Sequence, residues 1–442
     1  VAGCDMDMMS YSYLRNIKNL IDDGELQVSV LDDAVRRVLK LKCRLGLFEE
    51  PYSRKVEKTA IYSSDVKDVA CALAEESTVL LKNDGLLPLG NDVRHIVVTG
   101  PMADAPYDQL GTWSLDGDKS CAVTPLAAMR EMLPEDIRLD YISVLDYPRD
   151  ENITGFKRLR KAAKNADVVI AFVGEEQMMS GEAHSLSSLH LQGHQTELLR
   201  EIAESGTPLV TVVMAGRPLV MDEATSLSSS LLYMWHPGTM GGPAIVNLLW
   251  GRACPSAKLP VTFPRNEGQI PMYYNHKHTS HIAKGTEGDL SRVPREKPQS
   301  VMGHTSSYLD VPPTPQFPFG FGLTYTKFEI GSPQLESTEV NLDGILKVSV
   351  ELGNVGKMQG AEVLQFYVSK KSASVTRPIK ELKGFVRVTL DAGKKCVVKY
   401  EIPVKDLAFC RKDMTWGVES GTYSLMVGND SEHLKEVKFK IM

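Results

Sequence analysis

Residues Val168–Leu191 read VVIAFVGEEQMMSGEAHSLSSLHL, and this stretch decides both the fold and the position of a candidate site. Its first six residues are wholly apolar, which is typical of a buried β-strand, and the run ends at Gly174. A loop with three carboxylates, Glu175, Glu176 and Glu182, follows at once. Ligands of open parallel sheets bind just beyond the carboxyl ends of the strands, so a carboxylate in this loop is placed to act as a general acid.

The residues around this stretch alternate between apolar strands and amphipathic helices, and they define a domain over residues 70–268. The further strand candidates are His95–Thr99, Leu139–Val144, Leu209–Met214 and Leu231–Trp235, and helices are predicted over Gly155–Ala166 and Gln195–Ser205. Strands that alternate with helices of this length predict an α/β fold with a mostly parallel, doubly wound sheet.

The segment before this domain predicts a loop and two helices over residues 1–52. Ser29 and Asp32 fit a capping box that opens the second helix, and Gly46 fits its stop. Two helices cannot enclose a core, so we expect these residues to complete a larger unit that begins upstream in the sequence. Residues 53–69 are polar and predict a linker.

The last part of the chain divides into two regions that differ in composition. Residues 269–333 are rich in Pro, Gly, Ser and His and predict a long connecting loop, with 276–315 the least periodic part. Short alternating strands then follow over residues 334–442, at Leu346–Leu352, Ala361–Ser369, Gly384–Leu390, Cys396–Ile402 and Gly421–Val427. A spacing of about ten residues between such strands predicts an all-β sandwich.

Composition excludes several classes of protein. A net charge of −6 without any Lys/Arg-rich stripe disfavours a nucleic-acid partner. No apolar run approaches the roughly 20 residues of a membrane span. Seven scattered cysteines without a CxxC pair disfavour zinc and thiol-exchange chemistry and favour buried thiols. A nucleotide-binding α/β protein is disfavoured because neither GxGxxG nor GxxxxGK[ST] is present.

Several motifs, taken in order, resemble glycoside hydrolase family 3, in particular its bacterial periplasmic β-glucosidase type. The segments are AGCDMDMMS (Ala2–Ser10), AVRRVLKLKCRLGLFEEPY (Ala34–Tyr52), ESTVLLKNDGLLPL (Glu76–Leu89), AGRPL (Ala215–Leu219), WHPG (Trp235–Gly238), PSAKLPVTFPR (Pro255–Arg265), FPFGFGLTYTKF (Phe317–Phe328) and RPIKELKGF (Arg377–Phe385). The resemblance covers essentially the whole chain. It implies the end of a TIM-like barrel over 1–52, then an α/β sandwich, then a fibronectin-III-like domain over 334–442.

The resemblance also implies a mechanism, that of a retaining exo-β-glycosidase acting on terminal, non-reducing β-D-glucosyl residues. The general acid/base maps to Glu182 in the SGEA loop. The nucleophile of the family is an Asp in an SDW-like motif on the barrel, which this chain lacks, so an upstream barrel would supply it. Asp5 and Asp7 lie past that strand, and Asp5 is expected to brace the barrel rim. Hydrolysis by two carboxylates needs no cofactor, and none is implied.

Four neighbours of the acid/base are predicted to bind substrate: Glu175, Met179, Ser180 and His184. Three of them, Glu175, Met179 and His184, also have a structural alternative. Hydrogen bonding within the protein is the alternative for Glu175, and packing is the alternative for Met179, because Met fills irregular gaps well. A lone loop histidine such as His184 is more often solvated than functional.

The chain departs from the family pattern near this loop. Leu186 and Ser188 replace an SR-D pattern, Gln192 replaces a Pro, Met240 replaces the acidic residue of TEGG, and Thr279-Ser280-His281 replaces TGR. Losing an Arg and a Glu together predicts the loss of one salt bridge between loops. Substrate preference or loop order is expected to differ accordingly.

The implied ligand is a β-linked oligosaccharide or β-glucoside, and the implied partner is the N-terminal barrel portion of the same protein, with a homodimer as a further hypothesis. Trp113 and Trp235 are aromatic candidates for stacking on the sugar, although core packing is favoured for both. The resemblance implies a periplasmic or secreted location. A β-xylosidase is one alternative, because the missing barrel builds most of the sugar pocket. A catalytically inactive fragment or carbohydrate-binding assembly subunit is the other.

Overall fold

The computed structural model of the chain describes residues 3–52, 61–277, 290, 293–298 and 308–442. The chain forms two compact units, residues 1–63 and 64–442. Much of the predicted 276–315 loop lies outside the described residues, as do the first part of the predicted linker and the whole Thr279–His281 substitution.

The first unit contains two helices, α1 (Ser12–Asp22) and α2 (Val28–Arg44), and neither buries a residue. The predicted capping box at Ser29 is wrong, because α2 already begins at Val28 and no side chain caps it. Ser29 therefore lies inside the first turn instead of ahead of it. Gly46 has a φ of 70°, just beyond the last helical turn, which confirms it as the stop.

Both acidic residues near the start of this unit hold their own segment together. The Asp5 carboxylate accepts two hydrogen bonds from Arg37, each 2.7 Å long, and these bonds hold the pKa of Asp5 below its usual value. The Asp7 carboxylate accepts hydrogen bonds from the backbone N–H groups of Ser10 and Tyr13, at 3.0 and 3.2 Å. Asp7 thereby fastens the chain at the beginning of α1.

A six-stranded sheet with the order β1-β6-β5-β4-β2-β3 forms the centre of the α/β part of the second unit. Its strands are β1 (Val79–Asn83), β2 (His95–Thr99), β3 (Arg138–Tyr141), β4 (Val168–Gly174), β5 (Leu209–Met214) and β6 (Ser230–Tyr233). All neighbours pair in parallel except β1, which is antiparallel to β6. This confirms the mostly parallel sheet and adds an antiparallel edge that was not predicted.

Helices cover both faces of this sheet, which confirms the doubly wound arrangement. They are α3 (Ser64–Ser77), α4 (Pro125–Met132) and α8 (Gly241–Leu249) on one face, and α5 (Phe156–Ala163), α6 (Gln195–Ala203) and α7 (Asp222–Leu227) on the other. Alternate residues of β4 enter the two apolar cores, so the whole strand is buried. Helix α3 begins inside the segment predicted as a linker.

The C-terminal residues form the predicted β-sandwich. Its strands are β7 (Phe328–Ile330), β8 (Gln334–Leu335), β9 (Glu339–Val340), β10 (Ile345–Asn354), β11 (Gly360–Ser369), β12 (Glu381–Leu390), β13 (Lys395–Pro403), β14 (Phe409–Cys410), β15 (Trp416–Gly417), β16 (Gly421–Gly428) and β17 (Leu434–Ile441). One sheet pairs β13, β10, β7 and β8, the other has the order β12-β11-β16-β17-β9, and β14 pairs with β15. Inward residues of both large sheets share one apolar core. All five predicted strands are present, and the additional ones are β7, β8, β9, β14, β15 and β17.

All seven cysteines lie among the described residues, and all are free thiols. Cys4 and Cys43 are exposed and the other five are partly buried, so the prediction of buried thiols is wrong for those two. The reason is that Cys43 lies in α2, one of two helices that bury nothing. In the part of the chain that the structure describes, no helix is both long enough and apolar enough to span a bilayer.

We expect Gly174→Ala to destabilise the α/β domain strongly. A Cβ at this position would lie 1.8 Å from the Met214 carbonyl oxygen, on a residue with a φ of 154°. Gly206→Ala is the matched control, since φ there is 80° and nothing lies within 4 Å of its Cβ. Denaturant unfolding should show a loss of about 1–2 kcal/mol for Gly206→Ala and roughly 3 kcal/mol or more for Gly174→Ala. Equal losses would show that the close approach of β4 and β5 is not a constraint.

Candidate active site

Strands β4 and β5 end side by side, with Gly174 paired to Met214. Gln195, which is fully buried, fixes the strand end from the helix side. Its Oε1 accepts a hydrogen bond from the Gly174 N–H at 2.8 Å, and its Nε2 donates to the Gly174 carbonyl at 2.9 Å. The backbone is therefore held on both sides before the carboxylate loop begins.

Glu175, the first carboxylate of the loop, is buried and ion-paired. Its side chain is 1% exposed, and Oε1 lies 3.0 Å from Arg217 Nε. Only Oε2, at 3.3 Å, has the alignment of a hydrogen bond with that nitrogen. Burial raises the pKa of the Glu175 carboxyl, and the opposing charge of Arg217 offsets this only in part. Glu175 is thus closed off from solvent and engaged with the protein.

Glu176, the second carboxylate, is also engaged. Arg149 donates to its two oxygens at 2.8 and 2.9 Å, in the parallel geometry that suits a guanidinium and a carboxylate. The same ion pair raises the pKa of Arg149. Glu176 therefore fastens the start of the loop to the segment after β3.

Thr112 anchors the next part of the loop. Its Oγ1 lies within hydrogen-bond distance of the Gln177 carbonyl, of the Ser180 carbonyl at 3.0 Å and of the Ser180 hydroxyl at 2.7 Å. A Cβ on Gly181 would lie 2.3 Å from Thr112 Cγ2, so the loop is seated directly on this side chain. His236 Nε2 approaches the Ser180 hydroxyl from the other side, at 3.4 Å.

Glu182 differs from the other two carboxylates because it is exposed. Its carboxylate makes no hydrogen bond or ion pair with any other residue that the structure describes. Its neighbours Gly181 and Ala183 both have positive φ, 114° and 61°. A left-handed conformation costs an Ala about 1–2 kcal/mol, and such strain is concentrated at functional sites. The chain thus presents Glu182 at the tip of a constrained turn.

The other predicted binding residues divide into two groups. Ser180 and Met179 are buried residues of the loop, 7% and 8% exposed. His184 is exposed like Glu182. The structure therefore places Glu175, Met179 and Ser180 where they contact protein, and their roles toward substrate stay predictions.

The two tryptophan candidates have different surroundings. Trp235 packs on Tyr233 and Phe263, with ring centroids 4.9 and 6.1 Å away, which confirms core packing. Trp113 is 68% exposed, so core packing is the wrong expectation for it. Its neighbour Thr112 is bonded to the carboxylate loop, so the exposed Trp113 lies next to a residue that anchors this loop.

Glu267 anchors the far side of the loop. Its Oε2 accepts hydrogen bonds from the Ser188 hydroxyl at 3.1 Å and from the Leu189 N–H at 2.8 Å, and His190 Nε2 lies 3.8 Å away. The Leu189 N–H, with help from Ser188 and His190, holds the pKa of Glu267 below its usual value.

Sequence analysis missed Arg217, Thr112 and Glu267. A signal for Arg217 was present: it follows a second buried strand directly, and in a parallel sheet this brings it beside the residues that follow β4. No comparable signal marks Thr112 or Glu267, whose contacts depend on how long loops return to the sheet. Within the described ranges, no three His, Cys, Asp or Glu side chains are grouped so that they could hold a metal ion.

The fold is an α/β domain, with a carboxylate loop at a strand end of its sheet, followed by a β-sandwich. Residues 78–325 match the glycosyl hydrolase family 3 C-terminal domain, and residues 362–431 match the fibronectin type III-like domain. The first match covers more than half of the chain. The chain therefore belongs to glycoside hydrolase family 3.

Its relatives are longer proteins. All of this chain matches the periplasmic beta-glucosidase of Salmonella typhimurium at 36% identity and a beta-xylosidase of Formosa agariphila at 33%. The chain spans 59% and 60% of their respective lengths. The crystal structure of a beta-glucosidase from Listeria innocua with isofagomine superposes with a TM-score of 0.86 at 34% identity, covering 99% of this chain and 59% of that one.

We expect His236 to make stability depend on pH. Burial lowers the pKa of His236, so the folded protein keeps this imidazole neutral where the unfolded chain protonates it. Stability should therefore fall as pH drops below about 6.5, by no more than about 1.4 kcal/mol per pH unit for this one proton. His236→Asn should flatten this part of the curve in denaturant unfolding between pH 7 and pH 5. An unchanged slope would contradict the burial argument.

Proposed function

We propose that this chain carries the acid/base half of a retaining exo-β-glycosidase, with Glu182 as general acid and base. The observation that carries the proposal is the contrast among the three loop carboxylates. Glu175 and Glu176 are both ion-paired, whereas Glu182 is exposed and has no partner among the described residues. A carboxyl that exchanges a proton with substrate must come within hydrogen-bond reach of it, and an exposed, unpaired carboxylate is accessible for this.

The nucleophile of this proposed reaction is an Asp supplied by an upstream barrel. This part of the proposal is supported by the relatives, of whose length the chain spans about three fifths. Retention requires the two carboxyl groups to lie roughly 5–5.5 Å apart, one on each side of the anomeric carbon. An unpartnered carboxylate at an exposed loop tip is suited to meet a second group from elsewhere.

The proposed mechanism uses Glu182 twice. In the first step its protonated carboxyl gives a proton to the leaving oxygen while the nucleophile attacks the anomeric carbon, so a glycosyl ester forms and the leaving group departs neutral. In the second step the Glu182 carboxylate takes a proton from water as the water oxygen attacks the same carbon, and the bond between that carbon and the Asp oxygen breaks. The free sugar is released, the Asp leaves as a carboxylate, and Glu182 is again protonated as at the start.

Apolar surface beside the loop suits a leaving group. Trp113 and Met178 are 68% and 61% exposed. They belong to the two short turns that Thr112 joins, residues 112–114 and 177–179. An indole offers a broad face to a sugar or aromatic aglycone. These side chains support a substrate whose leaving portion is partly apolar.

A β-D-glucoside, cleaved at its non-reducing end, is the substrate class that we propose. The names of the Salmonella typhimurium and Listeria innocua proteins, both beta-glucosidases, support this choice. The Salmonella protein is also called periplasmic, which supports a periplasmic or secreted location for this one.

The decisive test is Glu182→Ala in the complete protein, with the barrel present. Turnover of a phenyl or alkyl β-glucoside should fall by roughly 10²–10⁴-fold, because a poor leaving group needs its proton. Release of dinitrophenolate from a dinitrophenyl β-glucoside should keep its first-step rate, because this leaving group departs without one. Azide should accelerate the slow second step and give a β-glucosyl azide.

Glu201→Gln is the matched control for this experiment, since it alters a carboxylate that is paired with Arg160 between two surface helices. It should leave the dependence on leaving group unchanged. An equal loss with both aglycones in Glu182→Ala, without azide rescue, would assign the acid/base role to another residue.

A β-xylosidase is the second candidate, and the Formosa agariphila relative of that name favours it. The two substrates differ by one hydroxymethyl group, whose contacts with a pocket are worth roughly 10–200-fold. We expect kcat/KM for 4-nitrophenyl β-D-glucoside to exceed that for the β-D-xyloside by such a factor. A preference for the xyloside would leave the mechanism standing and change the sugar.

A further inference from the structure

One guanidinium group spans the loop that carries Glu182. Arg217 Nη2 donates hydrogen bonds to the carbonyl oxygens of Met179 and His184, the second at 3.2 Å. Met179 precedes Glu182 and His184 follows it, so a single nitrogen joins the two sides of the turn. The separation of the two sides is thereby restricted.

Arg217 is itself held in place by contacts with Glu175 and Tyr233. Its Nε lies 3.0 and 3.3 Å from the two oxygens of Glu175, which is 1% exposed. The hydroxyl group of Tyr233, a fully buried residue of β6, donates to the Arg217 carbonyl. The group that ties the loop is therefore fixed to the sheet through both its side chain and its backbone.

An arginine suits this position. Its Nε–H and the two N–H bonds of Nη2 are fixed in one rigid plane, so a single side chain can bond Glu175 and both loop carbonyls at once. A lysine would bring one ammonium group, which could satisfy Glu175 or the carbonyls but not both sets together.

The turn needs this support most on its C-terminal side. Thr112 holds only residues that precede Glu182, namely Gln177 and Ser180. Ala183, directly after Glu182, has a left-handed φ of 61°, which is unfavourable without external bonds. The bond from Arg217 to His184 closes the turn just beyond this strained residue.

We propose that Arg217 is a positioning residue that holds the Glu182 carboxyl where proton transfer to the leaving group can occur. The inference rests on the proposed acid/base role of Glu182. Arg217 acts through the carbonyls of Met179 and His184. Loosening it should therefore slow the steps that need a proton from Glu182 and spare those that do not.

The test is Arg217→Lys in the complete protein, measured with aryl β-glucosides of graded leaving ability. Rates are normalised to active sites counted by the dinitrophenolate burst, so that a smaller folded fraction cannot imitate the effect. We expect roughly a 10–100-fold loss of kcat/KM with the poorest leaving group and little change with the dinitrophenyl substrate. In a Glu182→Ala background, Arg217→Lys should change the leaving-group dependence no further.

Two more variants complete the experiment. Arg160→Lys alters an arginine paired with Glu201 and Glu204 on the surface helices, and it should leave the leaving-group dependence as it was. Glu175→Gln keeps the volume behind Arg217 but removes the charge that fixes it, and it should show the same selective loss. If Arg217→Lys does not accumulate as folded protein, Glu175→Gln serves as the test of the positioning role of Arg217.

The outcomes separate the two proposals. A normalised loss that is equal for all leaving groups in Arg217→Lys and in Glu175→Gln would overturn the positioning role while leaving Glu182 as acid/base. If Glu182→Ala itself shows no leaving-group dependence, the proposed function fails, whatever Arg217→Lys does.

Discussion

The ion pair between Glu175 and Arg217 is the contact on which the candidate site depends. Each residue lies just past the end of one of two adjacent parallel strands, β4 and β5, and the register of Gly174 with Met214 brings them together. A buried carboxylate without its partner would be costly, about 3–5 kcal/mol for a broken buried pair. The sheet thus places one fixed charge pair at its edge, and the exposed carboxylate loop is built outward from that pair.

Most of the fold could be predicted from the sequence because its strands and helices have clear patterns of apolar and polar residues. An unbroken apolar run predicts a strand buried on both faces, and β4 is such a strand. Two errors share one physical cause. Ser29 has a capping residue type but lies within the helix, and the last part of the polar predicted linker belongs to α3, which begins at Ser64. In both places, the backbone hydrogen bonds of a longer helix outweighed a local composition signal.

The site was only partly accessible. The position of the loop followed from strand order alone, but the division of roles among its carboxylates did not. Glu175 and Glu176 differ from Glu182 through arginines that lie 42 and 27 positions away in the sequence, Arg217 and Arg149. Contacts of that range are set by topology, which no local pattern contains. Trp113 shows the same limit: an aromatic residue is usually packed, but this one is 68% exposed, next to the residue Thr112 that bonds the carboxylate loop.

The contacts of the carboxylate loop change how the departures from the family pattern are interpreted. The replacement of an Arg and a Glu by Leu186 and Met240 predicted the loss of one salt bridge between loops, and Ser188 stands where the same pattern has an acidic residue. Ser188 instead donates to Glu267, and the same carboxylate accepts the Leu189 N–H. The negative charge in this corner is therefore retained, but it comes from a later segment of the chain. A carboxylate that accepts a backbone N–H fixes the backbone itself and not only a side chain. The far side of the loop can thus be held by a different residue from the one the family pattern indicates, which leaves Glu182 at the tip as the unattached carboxylate.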